Sequence, residues 1–212
     1  DVDGYTKLLI HSDTSNGSTT FDDSGETDHA ITASGNVQHK TAQSKIGATS
    51  MYFDGNDKLT IADHADLDLD GGDFTIDLWL NANDVSSPSL QSVFAKWRVD
   101  TIASYYLLIH PTAKLRWYLG NGTNTFTSVG SFTVEDGVWY HAALTKVGDV
   151  FTSYVNGVQD GSTVTFSSFG DNNLPVTVGG DDADSRPFYG YIDELRVSKG
   201  IARWTSNFTV YT

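Results

Sequence analysis

The chain has 212 residues, of which 27 are Asp or Glu and 13 are Lys or Arg, so its formal net charge is −14. This charge argues against nucleic acid or an anionic membrane surface as a partner, because binding to phosphate depends on clustered basic side chains. The absence of Cys excludes thiol catalysis, thiolate zinc sites and disulfide scaffolds. No apolar run approaches the roughly 18 residues that membrane insertion requires. The size and composition indicate one globular domain over residues 1–212.

The predicted secondary structure is a series of strands separated by turns. Strict alternation of apolar and polar residues, or a short apolar run, marks Lys7–His11, Ser50–Phe53, Lys58–Ile61, Phe74–Leu80, Ser92–Lys96, Tyr105–Ile109, Lys114–Leu119, Trp139–Lys146, Val150–Val155, Val176–Val178 and Gly190–Val197. Between two of these segments, Asn156-Gly157 predicts a two-residue type I′ hairpin. Asp greatly outnumbers Glu among the acids, and Asp favours turns over helices. The pattern predicts an all-β fold of two packed antiparallel sheets.

The last predicted strand contains an irregularity. Ile192, Leu195 and Val197 cannot all face the core of a regular strand, because Ile192 and Leu195 differ by three positions. A β-bulge at Asp193-Glu194 would return all three to the core and turn the Asp193 carboxylate toward the sheet rim. At the rim this carboxylate either meets a cation or accepts hydrogen bonds from nearby backbone amides.

Six segments carry a resemblance that extends over nearly the whole chain. They are Leu8–Asp13, Ser50–Gly55, Asp73–Trp79, Gly137–Ala142, Tyr154–Gly157 and Gly190–Thr209. In this order they resemble the laminin-G-like, concanavalin A-like jelly-roll domains of marine bacterial and bacteriophage proteins. The resemblance implies a two-sheet antiparallel jelly-roll sandwich, the concanavalin A-like lectin/glucanase fold. The fold alone leaves the function open, because it carries lectins, glycan-binding modules, glycosidases and adhesive domains.

The resemblance also implies a structural calcium ion as cofactor. Carried over to this sequence, its ligands would be Asp13, the Asp54-Gly55 turn and Asp193. Oxygen ligands from several turns are what calcium requires, because carboxylates supply charge and carbonyl oxygens complete six to eight contacts.

Two other acidic clusters are weaker candidates for cation binding. The segment 181–184 contains three Asp residues, but Arg186 lies close enough in sequence to neutralise them. Asp66, Asp68 and Asp70 alternate with leucines, as a half-buried strand requires.

An enzymatic function is disfavoured. Laminarinase-type glucanases, which resemble this chain in fold, place a Glu-x-Asp-x-x-Glu or related motif on one strand, with carboxyl groups about 5 Å apart. The three glutamates, Glu26, Glu135 and Glu194, lie in no such motif, and Asp77 has no carboxylate two positions away on its strand. The sequence therefore predicts a protein that is not an enzyme, with a glycoside hydrolase of laminarinase-like fold as the minor alternative.

Aromatic side chains are candidates for glycan contact, because sugars stack on aromatic rings. Trp79 projects from the same side of its predicted strand as Asp77, opposite the core-facing residues. Arg116 and Tyr118 likewise oppose the core-facing residues of their strand. We predict that these four residues line one concave face and bind the ligand, whereas Trp97, Trp139 and Trp204 serve core or rim packing.

Two functions follow from these features. The first is a non-catalytic glycan-recognition module, stabilised by calcium and attached to an extracellular or phage-particle protein, with a polysaccharide or cell-surface glycan as partner. The alternative is a structural or adhesive domain of a virion or surface protein that packs against other domains and binds no sugar. Neither function requires nucleic acid or membrane insertion.

Overall fold

Two antiparallel sheets form the molecule in a computed structural model that describes residues 2–98, 102–123, 125–181, 183 and 186–211. The strands, in chain order, are β1 (Thr6–Ile10), β2 (Ile31–Ser34), β3 (Gln38–Lys40), β4 (Ser50–Asp54), β5 (Lys58–Ile61), β6 (Phe74–Ala82), β7 (Gln91–Arg98), β8 (Ile102–His110), β9 (Lys114–Gly120), β10 (Phe126–Thr133), β11 (Trp139–Val147), β12 (Val150–Val155), β13 (Val158–Gln159), β14 (Val164–Thr165), β15 (Val176–Val178) and β16 (Tyr189–Lys199). A single turn of 3₁₀ helix covers Ala65–Leu67. Within the described ranges, no helix has the length and apolar character needed to cross a membrane.

The strand order is that of a jelly roll, in which neighbours are often distant in sequence. The first sheet runs β13-β12-β11-β6-β16-β4-β3, with β1 beside β16 and β14 beside β12. The second sheet runs β10-β9-β8-β7-β15-β5-β2. The predicted all-β, two-sheet antiparallel jelly-roll sandwich is therefore confirmed.

The hydrophobic core lies between the two sheets and is built by the alternation that the sequence displays. Ile76 and Leu78 of β6 face it from the first sheet, and Leu115, Trp117 and Leu119 of β9 face it from the second. Removing each such side chain from water stabilises the fold by about 1.5–3 kcal/mol. The residues between them project from the outer face of each sheet.

Two local predictions are confirmed. Asn156 and Gly157 have φ angles of 50° and 78°, as a type I′ turn requires, and they join β12 to β13. The register of β16 against β6 shifts between Asp193 and Arg196, and Glu194 there has a φ of 51°. This bulge lies where the other edge of β16 changes its partner from β4 to β1. It returns the apolar residues on both sides of it to the core.

The segment around Leu67 and Leu69 is not the half-buried strand that its alternation predicts. Ala65–Leu67 form the 3₁₀ turn, and His64 caps it by accepting a hydrogen bond from the Asp66 N–H at its Nδ1. Both leucines are nevertheless buried. A 3₁₀ turn followed by extended chain can bury residues two apart, so alternation over four residues does not identify a strand.

Candidate functional site

The outer face of the second sheet carries a cluster of aromatic rings, the aromatic platform, formed by Trp97, Tyr106, Tyr118 and Phe126. The Trp97 ring centroid lies 5.6 Å from that of Tyr106 and 5.7 Å from that of Phe126. Tyr118 and Phe126 are 5.6 Å apart and meet edge to face. Tyr106 and Tyr118 are directly opposite each other on β8 and β9, so their side chains project from the same face.

The platform has a buried base and an exposed surface. Phe126 is 56% exposed, whereas Trp97 is 8% exposed and Tyr106 is buried. Tyr118 is half-buried between them. Buried rings therefore fix the positions of the rings that a ligand can reach, which is the arrangement expected of a binding surface rather than of a scattered apolar residue.

Hydrogen-bonding groups border the exposed rings. Ser128 lies directly opposite Tyr118 on β10. Arg116, two residues before Tyr118, donates from its Nη2 to the Ser131 hydroxyl at 3.4 Å. Its buried Nε has no hydrogen-bond partner among the described residues. The platform thus combines aromatic faces with guanidinium and hydroxyl groups, the two kinds of contact that a sugar makes.

A cavity of about 340 Å³ opens at the rim of the same sheet. It is lined by Ser34, residues 55–58, Gly180, Asp181, Arg186 and Pro187. Arg186 also places its guanidinium carbon 5.8 Å from the Tyr106 ring centroid, so this residue joins the cavity to the platform. Burial raises the pKa of Tyr106 to about 12, although Arg186 opposes the shift, and the phenol is therefore neutral beside the cavity.

The four predicted ligand-binding residues do not share a face, and this prediction is wrong. Arg116 and Tyr118 belong to β9 and lie at the platform, but Asp77 and Trp79 belong to β6, in the other sheet. Alternation within a strand shows which residues leave the core, but it does not show which sheet the strand joins.

Asp77 is fully buried on the outer face of the first sheet. Arg196 donates from Nε and Nη2 to its two carboxylate oxygens at 2.9 and 3.0 Å. His141 Nε2 lies 3.3 Å from the same carboxylate. Burial opposes ionisation, but His141 and Arg196 outweigh it and hold the pKa of Asp77 below its usual value. Asp77 therefore stabilises the fold as half of a buried ion pair and has no exposed oxygen for a ligand.

Trp79 is also covered, contrary to the expectation of an exposed ring. It is 3% exposed, and the Lys45 ammonium lies 4.3 Å from its ring centroid. Its neighbour His141 lies under Trp204 and Phe208 of the C-terminal segment, residues 200–211, and these two rings stack at 3.9 Å. Loop and C-terminal residues thus occupy the face where the sequence predicted a sugar.

Two of the predicted calcium ligands instead hold the loop that precedes β4. Asp193 Oδ2 accepts hydrogen bonds from the backbone N–H groups of Lys45 and Ile46 at 3.0 and 3.1 Å. Asp13 Oδ1 accepts one from Ala48 at 2.8 Å. Backbone amides therefore satisfy oxygens that a cation would need, which is the alternative role that the bulge allowed for Asp193.

The Asp54-Gly55 turn lies farther from Asp193 than two ligands of one calcium ion can be. Asp54 is paired with Tyr189 on β16, and Asp193 is four residues farther along that strand. At about 3.3 Å per residue, this separates the two by about 13 Å. Asp13, Asp54, Gly55 and Asp193 do not fit one shared calcium site. Calcium stabilisation of the domain stays a prediction from the resemblance.

Asp193 gives the fold a specific pH dependence. Burial raises its pKa to about 7, and the hydrogen bonds from backbone amides offset this only in part. An unfolded Asp titrates near pH 4, so between about pH 4 and pH 7 the folded state binds a proton that the unfolded state has lost. The contribution of Asp193 to the free energy of unfolding therefore falls as pH rises over this range.

The Asp193→Asn variant should remove this slope, which urea denaturation at a series of pH values measures. Asp70→Asn, at an exposed position, serves as the control and should leave the wild-type slope in place. An Asp193→Asn profile parallel to that of the wild type would contradict the assignment.

Sequence reasoning missed a carboxylate cluster beside the 3₁₀ turn. Asp63, Asp68 and Asp171 all contact the Lys96 ammonium, at 2.8, 2.5 and 2.7 Å. The Lys96 side chain is completely buried. Burial lowers its pKa, but the three carboxylates outweigh that effect and raise it. The signal in the sequence was the run of aspartates near Asp66, but Lys96 and Asp171 are too distant in the chain to be assigned to it.

The acidic segment 181–184 lies only in part within the described residues. Asp181 is buried at the rim cavity. Asp182 and Asp184 lie outside the described residues. The described residues therefore do not decide between a solvated acidic loop and the weaker candidate role in cation binding.

Known structures of similar fold include binding domains of botulinum neurotoxins. One, of neurotoxin DC, is described in complex with rat synaptotagmin II and matches with a TM-score of 0.69 and 14% identity. A second, also of neurotoxin DC, is described in complex with SialylT and matches with a TM-score of 0.69 and 14% identity. A third structure is described as showing that the cell entry of botulinum neurotoxin type C depends on interaction with two ganglioside molecules. It matches with a TM-score of 0.68 and 13% identity. The matches cover 93% of this chain and 48 to 49% of the neurotoxin chains. At this identity they show the shared fold alone.

The sequence itself places the chain in a family. No curated protein sequence matches it. Residues 53–203, however, match the Laminin_G_3 profile, described as the concanavalin A-like lectin/glucanases superfamily. This match covers well over half of the chain and includes the strands that carry the platform. The protein belongs to the Laminin_G_3 family of the concanavalin A-like lectin/glucanases superfamily.

Proposed function

We propose that this domain is a non-catalytic glycan-recognition module that binds a polysaccharide or cell-surface glycan on the aromatic platform. The observation that carries the proposal is the exposed Phe126 ring, held by buried Trp97 beside half-buried Tyr118. Sugars present CH groups to aromatic faces and hydroxyls to polar neighbours. Arg116 and Ser128 stand next to these rings and supply the polar contacts.

The absence of an available acidic residue on β6 favours binding over catalysis. Asp77, the carboxylate considered for hydrolysis, is buried in its ion pair with Arg196 and reaches neither solvent nor the platform. A glycosidase needs two carboxyl groups on either side of the bond that it cleaves. The platform residues are instead aromatic, basic and hydroxyl side chains.

The similar solved domains support a recognition role, which we propose for an extracellular or virion protein. They are described in complex with SialylT and with rat synaptotagmin II, and through a dependence of cell entry on gangliosides. One fold thus accompanies both glycan and protein ligands. The alternative is a structural or adhesive domain that contacts protein and binds no sugar. The complex with rat synaptotagmin II is consistent with it, and experiment decides between the two.

Retention on a panel of immobilised algal and bacterial surface polysaccharides tests the proposal. We expect the wild-type protein to be retained by one class, and Phe126→Ala and Tyr118→Ala to lose affinity by about twofold to twelvefold, because an aromatic contact contributes about 0.5–1.5 kcal/mol. Tyr5→Ala is the matched control, since Tyr5 is an exposed aromatic residue near β1, in the first sheet. The panel is run in calcium and again after chelation, which also tests the predicted calcium requirement.

Two results would contradict the proposal. Retention that is unchanged in Phe126→Ala and Tyr118→Ala would place the binding surface elsewhere on the domain. No retention on any glycan, with the fold shown intact by circular dichroism, would favour the structural or adhesive alternative.

A further inference from the structure

Three metal-ligand side chains meet between the loop that precedes β2 and the 3₁₀ turn. His29, His64 and Asp66 place one ligand atom each within 4.8 Å of one another. Asp66 Oδ2 lies 3.6 Å from His29 Nε2 and 3.4 Å from His64 Nδ1. Ligands of a tetrahedral zinc ion, at about 2.0–2.1 Å from the metal, are separated by about 3.3 Å. The cluster therefore needs only small side-chain movements to enclose an ion.

His29 provides an independent sign of a ligand. Its side chain is 6% exposed, and its Nε2 has no hydrogen-bond partner among the described residues. A buried polar atom without a partner is destabilising, and such atoms in native proteins usually have an unseen water or ion beside them. This nitrogen faces the Asp66 carboxylate, so a cation between the two would satisfy both groups.

The backbone that carries His29 is fixed by a buried carboxylate. Asp23 is 5% exposed and accepts hydrogen bonds from the N–H groups of Leu9, Gly25 and His29 at 2.9, 2.7 and 2.9 Å. These contacts tie the loop to β1. His29 is therefore held in place without any ion.

The second imidazole is also directed into the cluster. His64 Nδ1 accepts a hydrogen bond from the Asp66 N–H at 3.1 Å, so its lone pair is directed toward Asp66 and is engaged in that bond. A metal ion at Nδ1 would replace that hydrogen bond. The Thr27 hydroxyl donates to Asp66 Oδ2 and orients the carboxylate, as residues behind a metal ligand commonly do.

We propose that His29 Nε2, His64 Nδ1 and the Asp66 carboxylate form a binding site for a divalent transition-metal ion of the zinc class. Two imidazoles and one carboxylate suit zinc, whereas calcium takes oxygen ligands. Three protein ligands leave a fourth position for water. The bound ion links the loop before β2 to the 3₁₀ turn, and because it binds only the folded chain it raises the stability of the domain.

Titration of the tag-free, chelator-treated protein with Zn²⁺ by calorimetry, and with Co²⁺ by absorption spectroscopy, tests the site. We expect one equivalent to bind, Zn²⁺ to raise the melting temperature, and Co²⁺ to give the visible bands of a four-coordinate ion with nitrogen ligands. His29→Gln and His64→Gln should each weaken binding at least tenfold and abolish the thermal shift. His110→Gln, on β8, is the matched control and should bind like the wild type.

Asp66→Asn gives a second route to the same answer if a histidine variant folds poorly. It should also weaken binding and reduce the Co²⁺ bands. Absence of stoichiometric Zn²⁺ binding by the wild type would overturn the proposal. Equal Zn²⁺ binding by the wild type, His29→Gln and Asp66→Asn would overturn it as well.

Discussion

Replacing Arg196 with Met is expected to lower the free energy of unfolding by about 3–5 kcal/mol, because it leaves a buried carboxylate without its charge partner. Asp77 is completely buried and receives two hydrogen bonds from the Arg196 guanidinium. In the variant, His141 is the remaining ionisable neighbour in contact with this carboxylate among the described residues. Urea denaturation at pH 7 measures the loss.

The pH dependence of this loss has a defined sign. The pKa of Asp77 is held below its usual value in the folded state, so the stability that it contributes is present above about pH 4 and is lost as the pH falls through the lowered pKa. The difference between the wild type and Arg196→Met should therefore shrink in acid.

Two controls distinguish the cost of breaking this buried ion pair from the cost of removing a charged side chain elsewhere. Lys7→Met breaks the exposed contact with Glu26 and should cost less than about 1 kcal/mol. The double variant Asp77→Leu with Arg196→Met should recover part of the loss, because an apolar pair often replaces a buried ion pair without penalty. An Arg196→Met variant within 1 kcal/mol of the wild type would contradict the proposed role of the pair.

Replacing Lys96 with Met is expected to lower the free energy of unfolding by about 1–3 kcal/mol, because three partly exposed carboxylates then repel one another without a cation. Asp63, Asp68 and Asp171 are held together by the buried Lys96 ammonium. Their oxygens are ligands that calcium prefers. We therefore expect millimolar calcium to restore part of the lost stability of Lys96→Met, as measured by thermal denaturation.

The control for this variant is Lys114→Met. It removes a lysine of β9 whose ammonium donates a hydrogen bond to the Thr133 hydroxyl. It should change stability by less than about 0.5 kcal/mol and should not respond to added calcium more than the wild type does. A Lys96→Met variant as stable as the wild type would show that the cluster does not depend on its ammonium group.

The sequence predicted the features that depend on residues close in the chain. β6 was recognisable because its alternation continues over several residues, and the Asn156-Gly157 turn because both residues adopt positive φ. The bulge at Asp193-Glu194 followed from apolar residues spaced by three. In each case a local pattern has one structural solution that buries the apolar side chains.

The aromatic platform was missed because a bulge shifts the alternation of β7. Val93 and Phe94 are consecutive, yet both lie in the core, and the register against β8 shifts between Ser92 and Phe94. Trp97 consequently points outward. In a strand without the bulge it would lie on the same face as Val93, toward the core. A change of face at a bulge depends on the partner strand, which the sequence of β7 alone does not contain.

The remaining strand of the platform lacked a sequence signal. β10 is rich in Ser and Thr, and its register against β9 shifts between Val129 and Phe132, around Gly130. A half-exposed strand with few apolar residues resembles a loop in the sequence. Its exposed residue Phe126 could therefore not be assigned to the same face as Tyr118.

The ionisable clusters were invisible for a different reason. Asp77 and Arg196 are 119 residues apart, and Lys96 and Asp171 are 75 apart. Only the strand order brings such residues together. No local pattern in the sequence determines which residue is the partner of Asp77 or of Lys96.

The most direct test of the aromatic platform as a glycan-binding surface is amide chemical-shift mapping of the labelled protein, titrated with the glycan that retains it most strongly. We predict saturable shifts that concentrate on Tyr118, Phe126 and Ser128 and on the neighbouring Arg116. Shifts that concentrate instead on the outer face of the first sheet, around Trp204 and Phe208, would contradict the assignment of the binding surface to the platform.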